Sequence, residues 1–261
     1  MLTTLVVVYF VSYINVNLHI PLLVSLAEEF GTTVGDIAQV SVAISLPWAF
    51  LAPLIGPISD RYGRKPVLLS GLSLLAFSGL LSSFAWDYTS LLVLRFVGGC
   101  GGAAVGPTGI AFIGDCYSQR ERGRAFGWLH AGFPMGAVIG LPIVTYVIAI
   151  SNWRVGYLIL GVLWAAVVLA AYLSCPNPRM GIHSTAYLRS FTEALGKTSA
   201  GPLLLVDWIM QVSFFVVHVY LSAFMMLTYN LDLKQMAPIL AIIAIGRVIG
   251  AILGGRLADA M

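Results

Sequence analysis

Gly56-Pro57-Ile58-Ser59-Asp60-Arg61-Tyr62-Gly63-Arg64-Lys65 stands at the junction of two apolar runs, 36 to 58 and 66 to 85, and its reading decides the fold. Ten residues hold two glycines, one carboxylate and three cations, the composition of a tight turn on the polar side of a membrane. A loop that only fixes orientation needs the cations alone. It does not account for Gly56 four residues ahead of Asp60, or for Gly63 between Arg61 and Arg64. Glycine lets a neighbouring helix come close and permits a sharp turn. An acid at a helix end binds a facing helix N-terminus or an arginine.

The rest of the chain supplies the membrane. Hydrophobic residues make up 59% of 261 positions and charged residues 10%, a balance that would leave large apolar patches on a water-soluble domain. The net charge of +3 is small, and no basic run with interleaved aromatics suggests a nucleic-acid partner. Cys100, Cys116 and Cys175 form no CxxC pair and read as small packing residues, so neither a disulfide framework nor a metal site is expected. The run from Leu2 to Leu26 is too long for a signal-peptide core and is expected to remain as a first span.

A span needs roughly 20 mostly apolar residues. Runs of that kind lie at 3 to 25, 36 to 58, 66 to 85, 89 to 114, 123 to 149, 153 to 174, 202 to 228 and 235 to 258, which predicts eight helices. Three units follow: six helices over 1–174, a polar connector over 175–201 that carries Pro176, Pro178, Arg179, Arg189, Glu193 and Lys197, and two further helices over 202–261. With the N-terminus cytoplasmic, the inner segments carry Arg61, Arg64, Lys65, Arg120, Arg122, Arg124, Arg179, Arg189, Lys197 and Arg256, against Arg154 and Lys234 outside. That asymmetry places both ends of this chain inside, in a bacterial or archaeal plasma membrane.

The decapeptide has an echo. Span eight ends Gly255-Arg256-Leu257-Ala258-Asp259, repeating the G-x-x-x-D spacing 199 positions on. The decapeptide resembles the signature loop of the major facilitator superfamily, G-x-x-x-D-R-x-G-R-K, at every defining position. The resemblance covers the whole chain and implies two parallel halves of six helices, linked by the 175–201 connector. It also implies four further helices and a completed second loop after Met261, so the chain reads as truncated after helix eight. It further implies that Asp115 pairs with Arg61 or Arg64. An exposed surface pair of small worth is the alternative.

Glycines recur every fourth residue at Gly132, Gly136 and Gly140 in span five and at Gly246, Gly250 and Gly254 in span eight, along one face of each helix. By the resemblance these two helices face each other across the boundary between halves. Ordinary small-residue packing accounts for the stripes equally well. Gly127, Gly136 and Gly140 also keep part of the spacing of the antiporter signature. Its proline falls one place late, at Pro142, and Val144 and Thr145 replace its closing glycine pair.

Ionisable groups inside a span usually face a cavity or a partner. Arg95, followed by Gly98, Gly99, Gly101 and Gly102, resembles the family's R-x-x-x-G pattern, whose arginine assists proton or substrate handling; snorkelling to the outer interface is the alternative. Asp207, Gln211 and His218 share an arc of span seven. Tyr13, Asn15, Asn17 and His19 give span one a polar stripe suited to a cavity lining, and Arg247 stands in span eight beside Gly246. Span one has no acid before Glu28, where many proton-coupled drug exporters carry one. His19, Asp207 and His218 are the substitutes.

No phosphate-binding loop, H-E-x-x-H or G-x-S-x-G motif is present, and no catalytic residue or cofactor is expected. The leading expectation is a proton-coupled exporter of small organic compounds that works by alternating access. An uptake symporter for a sugar or organic anion, with Arg95 and Arg247 as ligands, is the rival. A truncated, non-transporting membrane module is a third reading.

Overall fold

The computed structural model describes residues 1–176 and 200–260. They are helical almost throughout, and six stretches are long and apolar enough to cross a membrane: Val34–Tyr62, Arg64–Ser82, Tyr88–Cys116, Gln119–Ala149, Trp153–Ser174 and Trp208–Tyr229. The apolar stretches Leu2–Asn17 and Leu233–Gly246 are shorter. The helices are α1 (Leu2–Asn17), α2 (Leu23–Phe30), α3 (Val34–Tyr62), α4 (Arg64–Ser82), α5 (Tyr88–Gly102), α6 (Val105–Cys116), α7 (Gln119–Met135), α8 (Leu141–Ala149), α9 (Trp153–Ser174), α10 (Ala200–Tyr229) and α11 (Leu233–Ala260). The connector falls outside the described residues over 177–199, and so do the basic residues assigned to it.

Two expected spans are broken four residues ahead of a proline, and a third widens just before one. A proline ring clashes with the carbonyl of residue i−4 and offers it no N–H. Span one, expected to be continuous over 3 to 25, divides early. Its first helix, α1, stops at Asn17, the carbonyl four before Pro21, which accepts from Ile20 N at 3.0 Å. Span four divides at Ala103 and Ala104, and Ala103 stands four before Pro107. In span five the five residues Gly136–Gly140 form a π turn between α7 and α8. There Leu141 N–H reaches back to the Gly136 carbonyl, so the turn widens just ahead of Pro142.

Caps fix where several helices begin. Thr33 and Asp36 exchange side-chain-to-backbone hydrogen bonds of 3.1 and 3.0 Å at the start of α3, and Asp87 and Ser90 exchange bonds of 2.7 and 3.2 Å at the start of α5. Asn152 caps α9 through Val155 N at 3.1 Å.

The outside is apolar as well as the core, and a polar cluster is buried within it. Phe50, Val93, Val162 and Leu169 stand exposed on the outside, while Asn15, Asn17, His19, Ser78, Ser82 and Arg95 are buried within. Lipid is as apolar as leucine, so close backbone approach takes over the work of holding helices together. On α4 and α9, a Cβ added to Gly79 would stand 2.8 Å from Gly161 Cα. On α5, a Cβ at Gly101 would meet the Gly71 carbonyl, and one at Gly99 would stand 3.0 Å from Pro47 Cγ of α3. The glycine run after Arg95 thus seats α5 between α3 and α4.

Candidate functional site

The decapeptide is less of a loop than its composition suggests. Gly56 to Tyr62 complete α3, Arg64 and Lys65 open α4, and Gly63 alone links them, with φ +99° and its N–H on Ser59 O at 3.0 Å. A side chain at that φ would be strained, which explains the second glycine. Arg64 turns back to pair with Asp60 and to donate to Ser59 Oγ at 2.6 Å, and its Nε reaches Asp115 Oδ2 at 3.0 Å. Two helix ends and the end of α6 therefore meet on one guanidinium. Arg61 takes no part: its guanidinium lies 5.4 Å from the Tyr62 ring centre, while Lys65 Nζ lies 5.1 Å from that of Tyr172.

The break in α1 gathers the polar residues of span one. Asn17 Nδ2 donates to Tyr13 O at 2.8 Å, and its Oδ1 stands 3.1 Å from His218 Nε2 on α10. His19 is 1% exposed and its Nε2 stands 2.5 Å from Ser41 Oγ on α3, while its Nδ1 has no hydrogen-bond partner among the described residues. Beside them a cavity of about 20 Å³, lined by Tyr13, Ala137, Leu141, His218, Ser222 and residues of α11, has room for about one water. Ser222 Oγ is buried there with no partner among the described residues.

Arg95 does not snorkel. It is 1% exposed and points into the bundle, donating to Ser78 Oγ at 2.8 Å, Ser82 Oγ at 3.2 Å and Asn15 Oδ1 at 3.4 Å, with the Tyr157 ring centre 4.8 Å from Cζ. Among the described residues no carboxylate forms an ion pair with it. Hydroxyls, an amide and a ring face hold the charge.

The glycine stripe of span five faces a different neighbour from the expected one. A Cβ at Gly132 would meet the Val6 carbonyl and Tyr9, one at Gly136 would meet the Phe10 carbonyl and Tyr13, and one at Gly140 would meet Ile14 and Phe10, all on α1. Span eight does pack against the π turn and α8, but the cavity between them is lined by Ala137 and Leu141. Among the described residues nothing lies within 4 Å of a Cβ added at Gly246 or Gly127. The side chains of Asp207, Gln211 and Arg247 lie outside the described residues, as do the surroundings of Gly250, Gly254, Gly255 and Asp259.

Sequence reasoning misses His130. With Tyr9, Ser12, Trp48, Ile110 and Phe133 it lines a cavity of about 410 Å³ among α1, α3, α5, α6 and α7. Its ring meets Tyr9 edge-on at 5.7 Å, and Tyr9 meets Phe133 at 5.8 Å. A signal is there, since His130 is an ionisable residue within an apolar run, flanked by Gly127 and Gly132.

Comparison with known proteins agrees with this fold. A bacterial homolog of the human lysosomal transporter Spinster, in an inward-facing and occupied conformation, superposes with a TM-score of 0.80 at 19% identity, over 97% of this chain and 60% of that one. A probable sulfoacetate transporter from Cupriavidus necator is 27% identical over 272 residues, covering 96% of this chain and 62% of the relative. A probable L-galactonate transporter from Escherichia coli is 24% identical over 279 residues, covering 98% of this chain and 61% of the relative. The chain thus spans about three-fifths of the length of these relatives. With residues 5–261 matching the family as a whole, this chain of buried polar groups and broken apolar helices belongs to the Major Facilitator Superfamily.

Proposed function

We propose that the protein is a secondary transporter of small organic anions, working by alternating access and drawing on a proton gradient, with the Gly56 to Lys65 turn on the cytoplasmic side. The observation that carries this reading is Arg95, a buried cation held without a described carboxylate. In a low-dielectric interior its field is weakly screened and favours negative charge nearby. Two relatives that match most of this chain are named for anions, sulfoacetate and L-galactonate, which supports the same class.

Among the described residues the interior polar cluster offers histidines, His19 and His218, and no carboxylate; His218, the less enclosed of the two, is the one suited to carry a coupling proton. Export of drug-like cations draws support only from the partial spacing Gly127, Gly136 and Gly140. Gly136 and Gly140 are already accounted for by their close contact with α1.

Proteoliposomes holding the product of the complete reading frame, given labelled sulfoacetate or gluconate with and without an inward-directed proton gradient, test the proposal. Saturable anion uptake that rises with the gradient is expected. No anion flux, together with extrusion of a cationic dye from everted vesicles, would overturn it in favour of export.

A further inference from the structure

The 410 Å³ cavity lies apart from the Arg95 cluster and has a chemistry of its own. Its volume falls in the range of sites for small organic ligands. Trp48, Phe133 and Tyr9 supply flat apolar walls, Ile110 and Ala52 fill between them, and the polar contribution comes from few groups. Two of those are already occupied: Ser12 Oγ donates to Val8 O at 2.7 Å, and Tyr9 hydroxyl donates to Gly106 O at 3.5 Å. His130 is different. It is exposed to the cavity, its ring is oriented by the edge contact with Tyr9, and no carboxylate stands among the lining residues.

A sugar acid would bring several hydroxyls to walls whose few polar groups, the Ser12 and Tyr9 oxygens, could pair with only some of them, and each polar group left unpaired there is costly. An aromatic carboxylate brings a ring for the aromatic walls and one charged group for the imidazole. The imidazole carries an N–H in either protonation state and donates it to the carboxylate.

The geometry points to this cavity as a subsite for aromatic carboxylates, with His130 as the residue that receives the carboxylate and Tyr9 as the residue that positions His130. This deepens the anion-transport reading and rests on it.

The test uses the complete protein in proteoliposomes, with phenylacetate and gluconate as labelled probes. Wild type is expected to move phenylacetate saturably and in preference to gluconate. His130→Ala is expected to raise the phenylacetate KM about tenfold to a hundredfold, the loss of one hydrogen bond to a charged group, with kcat little changed. His130→Gln, which keeps an N–H donor, is expected to recover part of the loss. Melting temperature and membrane level are measured for both variants. Preference for gluconate, or an unchanged KM in His130→Ala, overturns the subsite and leaves anion transport standing. An unchanged KM with a lowered melting temperature overturns it by showing that the chain itself fills the cavity. No flux of either anion overturns the anion-transport reading, and the subsite with it.

Discussion

Arg64 Nε stands 3.0 Å from Asp115 Oδ2, although 51 positions separate the two residues in the chain. The same guanidinium pairs with Asp60 one turn back in sequence, so one cation ties the end of α3 to the end of α6. Asp115 is 39% exposed, and a pair so open contributes about 0–1 kcal/mol to stability. Asp60 is far more enclosed, at 11%. We expect Asp60→Asn in the complete protein to reduce transport severalfold while membrane insertion stays normal. Asp115→Asn should shift the melting temperature little. Flux normalised to membrane level, read beside a thermal melt in detergent, checks both. Normal flux in Asp60→Asn would show that transport does not depend on the ion pair at this turn.

How much of this is legible in the sequence depends on the kind of signal. The spans are readable because some twenty apolar residues in a row suit little besides a bilayer. Helix breaks are not, because proline is ambiguous in a membrane helix: Pro47, Pro53 and Pro57 all lie inside a continuous α3, while α1 stops four residues ahead of Pro21. The difference lies in whether neighbouring groups re-satisfy the freed carbonyl, which is a tertiary fact. Glycine spacing announces close approach without naming the partner, so the stripe at Gly132, Gly136 and Gly140 leaves open both a face toward span eight and ordinary packing, and it lies on α1. His130 acquires meaning only once several helices enclose a cavity around it.

That stripe gives a paired prediction. A Cβ at Gly132 would press on the Val6 carbonyl and stand 2.8 Å from Tyr9 Cβ, and backbone cannot step aside as a flexible side chain can. Overpacking of this kind costs about 1–3 kcal/mol. Gly127 lies on the same helix with nothing within 4 Å among the described residues, so a methyl group there adds only helix propensity, about 1 kcal/mol in favour. Gly132→Ala should therefore melt lower than wild type and Gly127→Ala slightly higher. Equal melting temperatures would show that α1 is not seated on this stripe.

At the other end of the bundle, Glu29 holds Arg154 at 2.5 Å and also accepts from Trp153 Nε1, while Arg154 donates to Ala85 O at 3.2 Å. Partial burial works against the ionised carboxyl, but the hydrogen bonds from Arg154 and Trp153 outweigh it and hold Glu29 below its usual value of 4.5. A depressed pKa stabilises the folded state above the unfolded value and loses that effect as pH falls through the folded one. Glu29→Gln should thus melt below wild type at pH 7, by a small margin because the pair is about 40% exposed. The gap should close as pH drops below about 4.5, where the unfolded glutamate begins to protonate. Melts across pH 3 to 7 test the sign, and a gap that widened on acidification would contradict it.

Arg95 offers the sharpest separation of stability from function. Burying an unpaired ion costs several kcal/mol after relaxation, so its removal relieves a large penalty. Removal also leaves Asn15 Oδ1 and Ser82 Oγ without a donor or acceptor, at about 1–3 kcal/mol each, while Ser78 keeps its bond to Leu94 O at 2.6 Å. The two effects are of similar size and opposite sign. Methionine fills much of the space left by the arginine stem and packs against Tyr157, which limits the cavity penalty. Arg95→Met is therefore expected to melt within a few degrees of wild type and to lose anion transport. Arg95→Lys, which keeps the charge but cannot reach three acceptors with the same planar fork, should keep the fold and recover only part of the flux. A protein that unfolds in the methionine variant would make Arg95 a structural residue, and one that transports normally would deprive the anion reading of the observation it rests on.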